Sequence, residues 1–274
     1  MSIRAVNQTI LYFLLSIAAL LILFPLLFTL SSAFMSSAES ATYPPRLLPS
    51  GLHWDNFLQV MKTVPVIRFI TNSFVVSAAI MLGQLITASM AAYAFAFLRF
   101  PGKAVIFSVF LSTMMIPWEV TMIPNYLTVR SWHWLDSYQG LIIPFLASAF
   151  GTFLLRQYFL QLPKELFEAA KVDGCGHIRI FMQLVLPLSM PSLATLAVYS
   201  FLTNWSNYLW PLLITNKESM RTVQIGIGML QFEEVTAWNV VMAGIVIMLL
   251  PSLILLIVGL KPLVRGITAG ALKG

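Results

Sequence analysis

Residues 10–34 read ILYFLLSIAALLILFPLLFTLSSAF, twenty-five residues without a charge. Fifteen of the residues between Ile10 and Leu30 are Leu, Ile or Phe. At roughly 0.3 to 0.6 kcal/mol each at the centre of a bilayer, and less near its ends, such a stretch inserts without help. It also exceeds the ~20 residues that a helix needs to cross the hydrocarbon. Arg4 precedes it as a basic residue precedes a secretory leader, but a leader's apolar region runs only about 7–15 residues. The stretch is expected to be a retained helix.

The rest of the chain has the same character. Of 274 residues, 59% are hydrophobic and 9% charged, with a mean hydropathy of +0.86. A soluble domain carries about 25% charged residues, so this chain cannot cover itself with polar surface in water. Disorder, a coiled coil and a disulfide scaffold are excluded by the same figures. Uncharged stretches run over residues 5–38, 69–98, 104–118, 137–155, 180–216 and 235–260. The third is short, but its apolar pattern continues past Glu119 to about Leu127. The runs are continuously apolar, whereas barrel strands are about ten residues long and alternate, so a β-barrel is excluded. The expectation is an all-α polytopic membrane protein with six transmembrane helices, at about 10–34, 69–97, 104–127, 138–159, 189–214 and 237–260. Residues 1–9 form an N-terminal segment, 10–262 the membrane domain and 263–274 a tail.

Lys and Arg set the orientation. Six spans put both termini on one side, together with Arg4, Arg99, Lys103, Arg156, Lys164, Lys171, Arg179, Lys261, Arg265 and Lys273. The other face holds Arg46, Lys62, Arg68, Arg130, Lys217 and Arg221. Ten against six places both termini in the cytoplasm, and topology explains the net charge of +6 better than nucleic-acid binding does. Trp118, Trp132, Trp134, Trp210 and Trp238 fall near the expected outer ends of spans, where interfacial aromatics belong. Cys175 is the single cysteine, so no intrachain disulfide forms. His53, His133 and His177 are scattered without metal-ligand spacing, and no metal site is expected. Between Gly174 and Gly176, Cys175 reads as a small residue in a tight turn.

The outer loop 35–67 is rich in proline, with a short helix expected over Trp54–Met61 capped by Asp55 or His53. The inner turn RFPGK over Arg99–Lys103 is tight. Against these, the inner segment QLPKELFEAAKVDGCGHIRIFMQLVLPLSMP over 161–191 stands apart. Pro163 suits a first helical turn, Glu165 and Glu168 suit the positive end of a helix, and Gly174 suits the left-handed residue that ends one. Leu162, Leu166 and Ala169 or Ala170 share a face at i, i+3 and i+4. This is a short amphipathic helix of at most about three turns, too small to make a domain. Its face either lies on the protein's own membrane helices or enters a groove of another protein.

Glu168-Ala169-Ala170, three residues, Gly174, nine residues and Leu184-Val185-Leu186-Pro187 resemble the EAA loop, E-A-A-x3-G-x9-I-x-L-P, of permease subunits of bacterial ABC importers. Leu184, where Ile is commoner, is the one departure, and Asp173 before the glycine also fits. The resemblance covers most of the chain. Leu135-Asp136-Ser137-Tyr138, Gly140-Leu141, Pro144, Ala147-Ser148-Ala149 and Phe153-Leu154-Leu155-Arg156-Gln157 are similar to the carbohydrate-uptake branch. Asn204-Trp205, Tyr208-Leu209-Trp210-Pro211-Leu212 and the tail Arg265–Gly274 are similar to the smaller, six-helix permease of such importers, as in maltose and glycerol-3-phosphate uptake.

The resemblance implies a type I importer permease fold and a division of labour. Its partners would be a second permease subunit, two cytosolic ATPase subunits and an extracytoplasmic solute-binding protein. The EAA helix would sit in a groove of the ATPase, with Glu168, Ala169, Ala170, Asp173 and Gly174 as the coupling residues. Glu168 either makes a salt bridge to the partner or only favours the helix dipole, and Gly174 either docks or only ends the helix. No cofactor is expected in this chain, since ATP would be bound by the partner ATPases. A phosphate-cradling loop needs G-x-x-x-x-G-K followed by Ser or Thr. Here Gly102-Lys103 is followed by Ala104 and preceded five residues earlier by Phe97.

Four residues are candidates for the substrate path. Glu119 is the only carboxylate between Lys103 and Asp136, and an ionisable group at membrane depth is a functional candidate. Alternatively Pro117 breaks the third span and Glu119 caps the turn that follows. Asn204, Asn207 and Tyr208, in the aromatic stretch Tyr199–Trp210, have the chemistry to bind a sugar, but aromatics in membrane helices also serve packing. The chain is read as the permease of an ATP-driven importer for a sugar, a polyol or a glycerol phosphate, and not as an enzyme. The competing reading is an ion-coupled secondary transporter, which would use buried carboxylates or broken-helix repeats. An intramembrane enzyme would need paired nucleophile and base residues that the spans lack.

Overall fold

The computed structural model describes residues 3–231 and 237–268. The tail beyond Thr268 lies outside them. Among the described residues all regular structure is helical. Ile3–Ala33, Val66–Phe97 and Trp238–Thr268 are single long helices. Their apolar windows, Gln8–Ala33, Val66–Phe97 and Trp238–Leu260, are long and apolar enough to cross a membrane. Three further spans pass the same test only as bent pairs: Lys103–Met115 with Trp118–Ser131 at 96°, Tyr138–Phe145 with Ala149–Phe159 at 43°, and His177–Leu188 with Met190–Trp205 at 76°. Counting each pair once gives six spans, of which the third breaks at Pro117, the fourth breaks within a stretch expected to be continuous, and the fifth bends at its expected start.

Each break has a local cause. The residue before a proline is pushed out of the helical region, and Ile116, before Pro117, is extended at φ −85°, ψ 115°. The helix restarts at Trp118 with Pro117 as its N-cap. In the fourth span Pro144 sits in a tight 3₁₀ turn over Ile143–Phe145. The extended Ser148 then caps the next helix, its hydroxyl accepting from the Gly151 amide at 2.9 Å. In the fifth, a π-helical stretch over Phe181–Val185 and Pro187 precede the corner at Ser189. The segment expected to span 189–214 stops at Trp205, and Leu209–Ile214 is a separate short helix.

Two compact units are described: the covered parts of Met1–Ile67 with Gly226–Leu250, and of Arg68–Ile225 with Pro251–Gly274. In the first, none of the apolar window of the N-terminal helix is buried within this chain. The amide of Asn56 donates to the carbonyls of Ala33 (2.9 Å) and Met35 (2.8 Å), and accepts from Asn239 at 2.8 Å. The expected outer helix runs over Asp55–Thr63 with Trp54 at its N-cap and no side-chain capping bond, so neither His53 nor Asp55 caps it. A capping box on Ser37–Ser40 joins Ser36 and Glu39. The Glu39 carboxylate accepts from the amides of Ser36 and Ser50, both at 2.9 Å, and meets Arg46 at 3.4 Å. Hydrogen bonds from Ser50 and then Ser36 hold its pKa down at about 2.

In the second unit the Val66–Phe97 helix is the organising strut. Its first half packs Val76 and Ile80 with Val129, Leu141, Trp210 and Ile214. Its second half packs Ala88, Ala92 and Tyr93 with Leu155, Phe159, Ile180, Val185 and Leu196. Asn72, fully buried, donates through its amide to the carbonyls of Ser219 and Arg221, both at 2.9 Å, and accepts from the Tyr138 hydroxyl at 2.8 Å. Asp136 accepts from the backbone amides of Asn216 (2.6 Å) and Lys217 (2.7 Å), and Ser137 caps the helix at Tyr138. The Leu135–Tyr138 motif is thus a bracket between loops. Trp210, expected at the interface, is instead 0% exposed, with its indole N–H donating to the Gly140 carbonyl at 3.0 Å. Its ring is one of the largest apolar surfaces in the unit, and burial with a hydrogen-bonded N–H outweighs an interfacial position. Gly140 is required there, because a Cβ would collide with the Trp134 carbonyl.

Two outcomes follow. Asn72→Ala strands two carbonyls and the Tyr138 hydroxyl, and lowers stability in detergent by about 2 kcal/mol, with Tyr138→Phe costing about 1 kcal/mol. Because they share one network, the double variant loses less than the sum. The Glu39 tie is fully present above its ordinary pKa of 4.5 and is lost as pH falls toward about 2. Hydrogen exchange of residues 36–50, corrected for intrinsic rate, therefore stays protected down to about pH 4.5 and opens below it. In Glu39→Gln that pH step disappears.

Candidate functional site: a polar cavity and a docked loop

The middle of the Val66–Phe97 helix meets the break in the fourth span. Gln84 donates to the Phe145 carbonyl at 2.7 Å and Thr87 to the Leu146 carbonyl at 2.6 Å. These carbonyls lose helical partners at the break, and lipid offers none. Beside them opens a cavity of about 470 Å³ that lies wholly within the second unit. At 1.5 Å per residue, Gln84 stands about 4 Å from the midpoint of its helix, so the cavity lies beside the middle of that helix.

Glu119, Asn204, Asn207 and Tyr208, the four candidates for the substrate path, all line this one cavity. Glu119 reaches it because Pro117 turns the chain, placing the residue in the first turn of Trp118–Ser131. No side-chain bond caps that helix, so the carboxylate is exposed rather than tied back to its own backbone. Asn204 donates to the Ser200 carbonyl at 2.7 Å, within its own helix. Asn207 lies in the gap between the helices ending at Trp205 and starting at Leu209. Its side-chain Oδ1 accepts from the Trp210 backbone amide at 3.5 Å, the limit of a hydrogen bond.

Other lining residues escaped the sequence reading. Gln84 was hidden in an apolar span, and Trp118 and Phe145 contribute rings 4.8 Å apart that also meet Trp210 at 5.7 and 6.0 Å. Phe150 packs on Tyr199 at 4.6 Å. Ser200 also lines the cavity, is 1% exposed, and its hydroxyl has no partner among the described residues. A glutamine or serine in an uncharged run is the only trace that sequence leaves of such positions.

The segment resembling the EAA loop forms the Lys164–Val172 helix. Pro163 is its N-cap, and Gly174 follows it at φ 72°, the left-handed conformation that a glycine adopts without strain. The Cys175 amide donates to the Ala170 carbonyl at 2.9 Å, closing the helix end as a Schellman motif does. The expected apolar face is divided: Leu162 and Ala170 pack on the core together with Phe167 and Cys175, whereas Leu166 is exposed. Phe167 is the anchor, its ring 4.4 Å from Phe97. Tyr93 holds the start of the His177–Leu188 segment, its hydroxyl 3.0 Å from the His177 Nδ1. The outward face presents Glu165, Leu166, Glu168, Ala169 and Val172 to solvent, with Val172 88% exposed, and Asp173 and Gly174 are exposed as well. Glu168 sits beyond the first turn, where the helix dipole has faded. Among the described residues no three His, Cys, Asp or Glu side chains converge as a metal site would require.

Comparison with known proteins agrees with this architecture. Residues 84–269 match the family described as the binding-protein-dependent transport system inner membrane component. A permease protein of the sn-glycerol-3-phosphate transport system, UgpE, of Yersinia pestis bv. Antiqua (strain Antiqua) is 38% identical over 264 residues, covering 93% of this chain and 94% of the relative. The protein of the same description from Rhizobium meliloti (strain 1021) is 34% identical over 273 residues, covering 96% and 97%. A chain from the crystal structure of a bacterial ABC transporter that imports the acidic polysaccharide alginate superposes with a TM-score of 0.82 at 25% identity, covering 95% of this chain and 98% of that one. Broken spans, often a mark of secondary transporters, are here compatible with an ATP-driven one. The chain belongs to the family of binding-protein-dependent inner-membrane transport components, and it is a multi-pass permease subunit of an ABC importer.

Proposed function

We propose that this permease translocates a carbohydrate, a polyol or a glycerol phosphate, with the exposed Lys164–Val172 helix as its point of contact with an ATPase. The observation that carries the coupling role is the two-sidedness of that helix. Phe167 and Ala170 fasten one face to the membrane core, while Leu166, Ala169 and Val172 leave an apolar face uncovered. A force applied to the outer face is thereby delivered to the Val66–Phe97 helix through Phe97. Glu168, Ala169, Asp173 and Gly174 are the coupling residues exposed to the ATPase in this reading, and Ala170, on the inward face, couples by holding the helix to the core. The complete importer adds a second permease subunit, two cytosolic ATPase subunits and an extracytoplasmic solute-binding protein. The ATPases supply the nucleotide sites.

Orientation rests on the ten basic residues against six. Both termini, residues 1–9 and 263–274, then face the cytoplasm together with the 161–190 loop. The solute class is supported by the names of the relatives, which concern glycerol phosphate, and of the structural neighbour, which concerns a polysaccharide. The path runs through the cavity lined by Glu119, Asn204, Asn207 and Tyr208.

Glu168→Lys and Gly174→Trp, both at exposed positions, test the docking role. Each is expected to reduce the ATPase co-purifying with the membrane subunits at least about tenfold, since reversed charge or bulk at a docked helix leaves groups unpaired across the contact. Full retention of the ATPase in both variants sinks the assignment. Uptake in cells is expected to stop on ATP depletion and to persist with proton and sodium ionophores.

A further inference from the structure

Three helix ends meet at a corner that carries positive charge and no carboxylate. The Val66–Phe97 helix ends there, the Lys103–Ser112 helix begins, and the Ala149–Phe159 helix has Arg156 in its last turn. Lys103 Nζ donates to the carbonyls of Ala96 (3.2 Å) and Leu98 (2.9 Å), and Arg156 Nε to that of Phe95 at 3.1 Å. The two half-buried cations thus sit on consecutive carbonyls, near enough for Arg156 to repel the charge of Lys103. Neither pairs with a carboxylate among the described residues, where the ion pair formed is that of Arg46 with Glu39 in the other unit. No Asp or Glu lies between Asp55 and Glu119 or between Asp136 and Glu165, so none of the three helices supplies one. Arg99, exposed in the turn between the first two helices, adds a third positive charge.

We infer that this corner binds the phosphodiester headgroup of an anionic phospholipid, in the leaflet on the side of the Lys164–Val172 loop. Capping of the Val66–Phe97 helix accounts for only part of the charge. The C-terminal end of a helix carries roughly half a negative charge, which two full positive charges exceed. Donors are also left over. The Lys103 ammonium has an N–H beyond the two that its carbonyls take, and the terminal nitrogens of Arg156 have no hydrogen-bond partner among the described residues. The guanidinium is held flat over the Phe107 ring at 4.2 Å, with Phe95 5.1 Å from that ring, so its free edge is fixed in place for two oxygens of one phosphate. The apolar flank makes the anion a lipid. Val105, Ile106 and Val109 follow Lys103 on the same helix and are 67%, 51% and 61% exposed. Lys103 is the first residue of a spanning segment, so a phosphate seated on it leaves acyl chains to run along these side chains into the hydrocarbon. Basic pockets between spanning helices at a membrane surface take lipid headgroups in this way. The loop lies at the same end, since Phe97 meets Phe167 at 4.4 Å.

The test uses the complete importer in phosphatidylcholine nanodiscs to which phosphatidylglycerol is added in steps. Cys175, the single cysteine, is replaced by Ser, and Val109→Cys, on the exposed flank about two turns from Lys103, carries a fluorescent label. Quenching by chain-spin-labelled phosphatidylglycerol or phosphatidylcholine reports which lipid lies beside it. Phosphatidylglycerol is expected to quench at a concentration at least about fivefold lower, the factor that one basic residue contributes at a charged membrane surface. Ala104→Glu sets a carboxylate beside Lys103 at an exposed position and leaves the capping side chains in place. It is expected to remove the preference, and Ala104→Gln to keep it. Equal quenching by the two lipids, quenching by neither because a partner subunit covers the flank, or a preference that survives Ala104→Glu overturns the inference. A preference abolished by excess inorganic phosphate gives the site to a free anion and overturns the lipid assignment. A preference that appears only once the ATPases are stripped away gives it to a carboxylate of that partner and overturns it too. Each of these failures leaves the importer reading standing, because that reading rests on other residues.

Discussion

A backbone carbonyl released from a helix inside a bilayer has no water to turn to, and three of the six spans of this protein release several. The second unit is organised around answering them. Gln84 and Thr87 reach from the Val66–Phe97 helix to the carbonyls of Phe145 and Leu146, where the fourth span breaks. Trp210 does the same for Gly140, and Arg156 and Lys103 serve the carbonyls of Phe95, Ala96 and Leu98 at the far end of the helix. Asn72 closes the near end against the loop at Ser219 and Arg221. From the long helix itself Asn72, Gln84 and Thr87 are the donors, and side chains of neighbouring elements supply the rest, so the broken spans keep their carbonyls paired.

The same constraint creates the site. A continuous helix in place of the Pro117 break would run past the cavity without beginning a new turn there. The break starts a fresh helix at Trp118, which carries Glu119 and Trp118 to the cavity wall. The gap between Trp205 and Leu209 similarly brings Asn207 and Tyr208 to it. The breaks supply polar groups and exposed backbone beside the middle of the Val66–Phe97 helix, where uninterrupted apolar helices would present only hydrocarbon. At the other end of the strut, aromatic contacts of Phe97 with Phe167 and of Tyr93 with Phe181 bind the Lys164–Val172 loop to the same helix. Cavity and loop thus share a rigid element, a geometry suited to passing movement from one to the other.

Much of this was legible in the sequence. The gaps between charges counted the spans, Pro163 and Gly174 marked the ends of the loop helix, and Pro117 marked a break. The boundaries inside broken spans were less so. Pro187 and Pro191 announce an interruption but not its angle, and an apolar run over 180–216 reads the same whether it is one helix or three. Leu166 and Phe167 are equally plausible as the buried residue of a nine-residue helix, and the choice was made by the ring of Phe97, seventy positions away. Trp210 looked interfacial because tryptophan favours interfaces, and was buried because Gly140 leaves room for its neighbours and a carbonyl for its N–H.

Residence in the membrane, the number of crossings and the place of the loop helix were determined by the sequence alone. They depend on how each segment meets its solvent, water or lipid, and that is a property of the segment itself. The meeting of Gln84, Glu119, Asn204 and Tyr208 around one cavity was decided only by the tertiary structure. These residues come from three separate spans and the loop after the last of them, and packing against the Val66–Phe97 helix set the angles of the breaks that bring them together.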